Sequence, residues 1–251
     1  MPSAAAGLAF REHGGGPLLL ILPGNTASSA HHLADLEHFG RHYRAVAPDF
    51  HGTGRSGRRA PWPLTWWEDN AHATAALLAQ LSWPDAAAGA VVIGTSGGAL
   101  TALLLAALHP ERVRAVIADS TVARFPPGWL EAAVADRRRR TPEQTAFWQA
   151  GHGADWEQVV DADSDLLLRL SAAGGDVLQG RPRLIRCPVL LTASLADPLL
   201  PDPGPQALAL AQQIPDSRAW LTREGGHPLM WSRAPEWRRA VAGFLEGVAA
   251  G

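Results

Sequence analysis

Short apolar runs recur along the chain and alternate with segments of helical periodicity. Seven runs have the length of strands, at 7–12, 18–22, 43–48, 90–94, 113–119, 188–193 and 218–222. Most are unbroken apolar stretches without polar alternation, the pattern of strands covered on both faces. Between them, residues 65–81 place Trp67, Ala71, Thr74, Leu78 and Leu81 at helical spacing, and Thr65-x-x-Glu68 predicts a capping box at the start. A last helix begins near Pro235 and carries Trp237, Val241, Phe244 and Val248 on one stripe. This alternation predicts an α/β fold with a doubly wound, mostly parallel sheet.

The rhythm breaks between Thr121 and Arg186, where no strand run appears. Three helical pieces take its place, at 128–140, 142–150 and 154–172, punctuated by Pro126-Pro127, Gly151–Gly153 and Gly174-Gly175. The chain therefore divides into a core, 1–120 and 186–251, and a small helical cap inserted at 121–185. The stretch from Ala86 to Leu108 holds no charge and is long enough to span a bilayer, but Gly94–Gly98 breaks it in the middle. It reads as a buried strand, a tight turn and a buried helix, so no membrane association is expected. Residues 1–10 lack a basic start and the run 18–22 is short, which reads as no targeting segment and a cytoplasmic protein.

Composition narrows the chemistry. A chain of 251 residues with a net charge of −2 presents no general nucleic-acid surface. A single cysteine, Cys187, excludes an internal disulfide and any multi-cysteine metal site. Every basic residue other than histidine is arginine; without lysine there is no Schiff base and no P-loop lysine. His38 and His42 are four apart, but Gly40 lies between them, and they read as surface histidines with no metal. Arg137–Arg140 reads as a solvated helix face or a helix C-terminus.

The sharpest signal is Gly94-Thr95-Ser96-Gly97-Gly98, a G-x-S-x-G match with an apolar strand leading in and an apolar helix leading out. That setting lifts a serine hydroxyl above a sheet edge on a strained turn. A serine needs a base, and His227, in Gly225-Gly226-His227-Pro228 after the last strand, lies at the same edge. The base needs an acid; Asp197, after the strand 188–193, is preferred to Asp119, which ends the strand before it. Donors for a developing oxyanion are expected from the backbone N–H of Gly97 and of Asn25, the latter in the turn Leu22-Pro23-Gly24-Asn25. Phe125, Trp129 and Trp148 are candidate lining residues for an apolar substrate.

These motifs, together with Asp49-Phe50-His51-Gly52-Thr53-Gly54-Arg55-Ser56, resemble the α/β-hydrolase superfamily over nearly the whole chain outside the cap. Within it the chain is most similar to small capped serine esterases of the valacyclovir hydrolase-like kind, through the Pro-Gly turn, the Ser-Gly-Gly elbow helix and the His-Pro-Leu loop. It departs from the α-amino-ester hydrolases, which carry an acidic residue where this chain has Gly97. The resemblance implies a Ser96-His227-Asp197 triad that hydrolyses a small ester or related acyl substrate without a cofactor. The same triad serves lactonases, thioesterases and carbon–carbon bond hydrolases, and a non-catalytic ligand-binding protein could keep the fold.

Overall fold

The computed structural model describes residues 7–81, 83 and 86–250. Seven strands form one sheet: β1 (Phe10–His13), β2 (Leu18–Leu22), β3 (Arg44–Pro48), β4 (Ala90–Thr95), β5 (Val113–Asp119), β6 (Val189–Ser194) and β7 (Ser217–Thr222). Their order is β1-β3-β2-β4-β5-β6-β7; β1 runs antiparallel to β3 and every other pairing is parallel.

Alternation along each strand builds two cores. Leu18, Leu20 and Leu22 point to one face with Val92, Val116 and Leu191, while Leu19 and Ile21 point to the other with Val91, Ile93 and Ile117. Both faces are apolar because both are covered. Helices α1 (Leu33–Phe39), α2 (Trp66–Gln80) and α3 (Gly97–Leu108) follow β2, β3 and β4. α2 and α3 cover the first face; α1 and the terminal helix cover the second.

The predicted capping box at Thr65 is not formed. Thr65 has a ψ of 7°, so its side chain makes no cap bond, and Glu68 turns to Arg181 at 2.9 Å. The backbone turn Trp66 N–H to Pro63 O starts the helix in its place.

Between β5 and β6 the chain forms α4 (Trp129–Arg137), α5 (Pro142–His152) and α6 (Trp156–Ala172). Leu130 and Val134 of α4 and Val159, Leu166, Leu167 and Leu170 of α6 join the first core. Trp148 and Trp156 stack at 5.4 Å and tie α5 to α6. After β6 come α7 (Pro203–Ala211), the short α8 (Leu229–Ser232) and α9 (Ala234–Ala250). The predicted stripe of α9 seals the second core: Trp237, Val241 and Phe244 are buried and Val248 packs beside them. Each of these side chains contributes about 1.5–3 kcal/mol by leaving water.

Candidate active site

The strand order reverses between β2 and β4: the chain leaves β2 for β3 on one side and leaves β4 for β5 on the other. At such a switch point the carboxyl ends of the strands open a crevice. Leu22 pairs with Gly94, so the turns after β2 and β4 meet there. The β4 turn is a single residue. Ser96 takes φ 54° and ψ −123°, a conformation L-residues rarely adopt, and its N–H is held by Asp119 O at 2.8 Å.

Two glycines make that turn possible. A Cβ on Gly94 would strike Gly98 O and Ala99 Cα, and a Cβ on Gly98 would strike the carbonyl oxygens of Leu22 and Pro23. Helix α3 therefore starts hard against both β4 and the β2 turn. A Cβ on Gly24 would lie 3.1 Å from Ser96 Cβ, so the second turn also runs directly beside the serine. Gly97 opens α3, where backbone N–H groups have no partner within the helix and the helix dipole favours negative charge.

His227 and Asp197 arrive from the loops after β7 and β6. His227 Nδ1–H donates to Asp197 Oδ2 at 2.8 Å, which leaves Nε2 as the basic nitrogen of the neutral ring. The Asp197 side chain is fully buried, and its Oδ1 accepts the N–H of Leu199 at 2.9 Å. Ser194 Oγ–H donates to Gly225 O and accepts from Ala196 N–H, fastening the two loops together. Asp119 does not reach the imidazole by hydrogen bond. Its Oδ1 accepts from Thr192 Oγ1 at 2.5 Å and its Oδ2 from Met230 N–H at 3.1 Å. Complete burial pushes its carboxyl up to about 6, against the lowering effect of those donors. With Ser120, which accepts from Leu229 N–H, it pins the segment that follows His227.

Residues 17–152 match the family model described as the alpha/beta hydrolase fold. The chain belongs to the alpha/beta hydrolase fold family. As a member it is a hydrolase. It is 27% identical over 240 residues to the serine hydrolase BPHL of Mus musculus, covering 91% of this chain and 79% of that protein. Among solved structures it is similar to the enol-lactonase of Burkholderia xenovorans LB400, with a TM-score of 0.72, 20% identity and coverage of 95% of this chain and 96% of that one. It is also similar to a thermophilic esterase of Thermogutta terrifontis, with a TM-score of 0.72, 22% identity and coverage of 96% and 93%.

In this hydrolase several residues near the site carry roles that no motif announced. Asn25 lies over Gly97: a Cβ there would strike Asn25 Oδ1 and stand 3.2 Å from Asn25 N. The Asn25 side chain is held at both ends. Its Oδ1 accepts from the Trp67 indole N–H at 3.2 Å, and its Nδ2 donates to Asp163 Oδ1 at 2.6 Å. Asp163 is fully buried on α6, and its Oδ2 takes Arg137 of α4. The signal was present in the sequence. Asp163 falls in phase with Trp156, Val159, Val160, Leu166, Leu167 and Leu170, the apolar stripe of α6, where a charge is out of place.

The arginine run is correspondingly not a plain solvated face. Arg137 pairs with Asp163, Arg139 with Asp136, and Arg140 with Glu157 and Asp161 while lying 5.0 Å over the Trp156 ring. Of the candidate lining residues, Phe125 and Trp129 are half-buried beside the first core. Trp148 is buried, and its indole N–H donates to Thr26 Oγ1 at 3.3 Å. Helix α1 ends at Phe39, before Gly40, so His38 and His42 do not share a helix face. Among the described residues no group of three or more His, Cys, Asp or Glu side chains is placed to hold a metal ion. Nor is any described helix long and apolar enough to cross a membrane.

Two histidines join α5 to the turns below it. His31 Nδ1 accepts Ser28 N–H and its Nε2 meets Phe147 O at 3.0 Å; His152 Nδ1 accepts Gly54 N–H and its Nε2 meets Thr26 O at 2.9 Å. Both rings are thus neutral, with the proton on Nε2. Burial, the largest cause, holds both below the ordinary histidine value of 6.5. A lowered folded-state value means stabilisation present above 6.5 and lost as pH falls through the folded value. Wild type is therefore expected to exceed His31→Gln/His152→Gln in melting temperature at pH 8, with the gap narrowing toward pH 5. A gap constant across that range would refute the assignment of neutral rings.

Proposed function

We propose that this protein is a serine hydrolase that cleaves a small to medium ester or related acyl substrate through an acyl-enzyme. The observation that carries the reading is the 2.8 Å hydrogen bond from His227 Nδ1 to Asp197, formed at the same sheet edge where Ser96 is held at positive φ. In the proposed cycle His227 Nε2 takes the proton of Ser96 Oγ as the oxygen attacks the carbonyl carbon. Asp197 balances the imidazolium, and the N–H groups of Asn25 and Gly97 receive the oxyanion. The imidazolium then gives its proton to the departing alcohol. Water, deprotonated by the same nitrogen, attacks the acyl-enzyme and releases the acid, restoring Ser96.

In this reading the segment 121–185 is a cap over the strand ends, and Phe125, Trp129 and Trp148 contribute to an apolar acyl pocket. The small size of the cap favours a compact substrate, and the site belongs to a cytoplasmic protein. Intact-mass labelling with an aryl sulfonyl fluoride tests the nucleophile: one adduct on wild type and none on Ser96→Ala is the expected result. An unlabelled, folded wild type would move the fold toward ligand binding without turnover. A panel of p-nitrophenyl esters, lactones and thioesters then separates the acyl classes, with the short esters expected to react fastest.

A further inference from the structure

We propose that Asp163 is a positioning residue for the oxyanion turn. From α6 its buried carboxylate, balanced by Arg137 of α4, fixes the Asn25 side chain and with it the direction of the Asn25 N–H. The proposal rests on the serine hydrolase reading, in which that N–H receives the oxyanion.

A carboxylate in the apolar stripe of a helix is an expensive choice, because desolvation exceeds what most ion pairs return and an apolar side chain would pack there at no such cost. Asp163 keeps both oxygens occupied, Oδ1 by Asn25 Nδ2 and Oδ2 by Arg137. Its bond to Asn25 spans 138 residues of sequence and joins α6 to the turn after β2. Trp67 of α2 holds the opposite end of the same amide. An asparagine clamped at Oδ1 and Nδ2 cannot rotate about χ1 or χ2 without breaking one of these part-buried bonds. Its backbone N is then fixed beside Gly97, the other donor.

Arg137 has a distinct part in this arrangement. An unbalanced carboxylate next to the oxyanion turn would oppose the negative charge that develops during attack. Beside the guanidinium, Asp163 acts as a strong acceptor for Asn25 without presenting net charge to the site. The oxyanion donors are consequently aligned when α4 and α6 are seated on the core, so assembly of the inserted helices and assembly of the site are one event.

The test compares wild type with Asp163→Asn, Asn25→Ala and the double variant, using p-nitrophenyl butyrate turnover. Affinities are measured in parallel for an aryl trifluoromethyl ketone, which forms a tetrahedral oxyanion on serine, and for the product butyrate, which does not. Asp163→Asn is expected to lower kcat by roughly 10-fold or more with little change in KM, because a misaimed donor is lost only in the transition state. Trifluoromethyl ketone affinity should fall by the same factor, and butyrate affinity should hold. Asn25→Ala should match it, and the double variant should lose no more than either single one. A folded Asp163→Asn with kcat near wild type overturns the proposal. So does a loss that multiplies with that of Asn25→Ala, or one that appears in KM and butyrate binding alone. Should Asp163→Asn fail to fold, Trp67→Phe removes the other tether of the same amide and is read by the same criteria. A wild type that neither labels at Ser96 nor turns over the ester would instead defeat the hydrolase reading itself.

Discussion

Replacing Ser96 by alanine is expected to lower turnover by about 10⁴-fold or more while leaving the fold in place. The size follows from how the site divides its work. In the proposed cycle, without Oγ there is no acyl-enzyme, and His227 and Asp197 have no proton to move; only the proposed oxyanion donors and substrate binding remain, and serine hydrolases stripped of the nucleophile keep just that remnant of catalysis. Stability should not fall. Ser96 sits at φ 54°, and its hydroxyl caps nothing at the start of α3, so the exchange removes no bond that the turn depends on. Measured kcat on the best p-nitrophenyl ester, together with a melting curve, checks both halves. A loss of less than about 100-fold would mean that another group attacks the carbonyl.

The second large effect separates two neighbouring glycines. Gly98→Ala should destabilise the protein by about 3 kcal/mol or more, because the new Cβ meets the main-chain oxygens of Leu22, at the end of β2, and Pro23, in the turn after it, and main chain cannot swing aside. Relief would require α3 to lift off the sheet. Gly97→Ala meets a side chain instead. The obstacle is Asn25 Oδ1, which can rotate away at the cost of its bonds to Trp67 and Asp163, while alanine in the first turn gains helix propensity. Gly97→Ala should therefore stay folded and lose kcat/KM by roughly 100-fold, since it displaces a donor of the proposed oxyanion hole. Thermal melts and kinetics on the pair decide the matter. A stable Gly98→Ala, or a Gly97→Ala with wild-type kcat/KM, would show that the turn yields more readily than its contacts indicate.

The parts of the molecule that rest on local chemistry were readable early. All seven strands appear where the sequence placed strand-length runs, with bounds shifted by up to three residues; β1, for example, begins at Phe10. The serine turn could be placed because only a glycine-flanked residue between an apolar strand and an apolar helix can make it. Asp197 and His227 followed from the rule that loops after parallel strands collect at one edge, and the structure brings those two side chains into a hydrogen bond. A helix ended by Gly40 was expected around His38, and α1 stops at Phe39. Helix α7 was not foreseen; it opens on Pro203-Gly204-Pro205, which reads as a loop until Leu210 is seen to enter the core.

What the sequence by itself determined is the alternation of strand and helix, the place of the strained Ser96 turn and the chain order of the loops carrying Asp197 and His227, because each depends on periodicity or on one residue's backbone freedom. What only the tertiary structure decided is which polar groups face one another. Thr65 and Glu68 had the spacing of a cap, yet Arg181, more than a hundred residues away, takes the glutamate. Arg137 looked solvated until α6 brought Asp163 beneath it, and His31 meets Phe147 O only because α5 docks over it. A buried charge or imidazole is stable only with its partner in place, and that partner is set by the docking of whole elements, which no local pattern encodes.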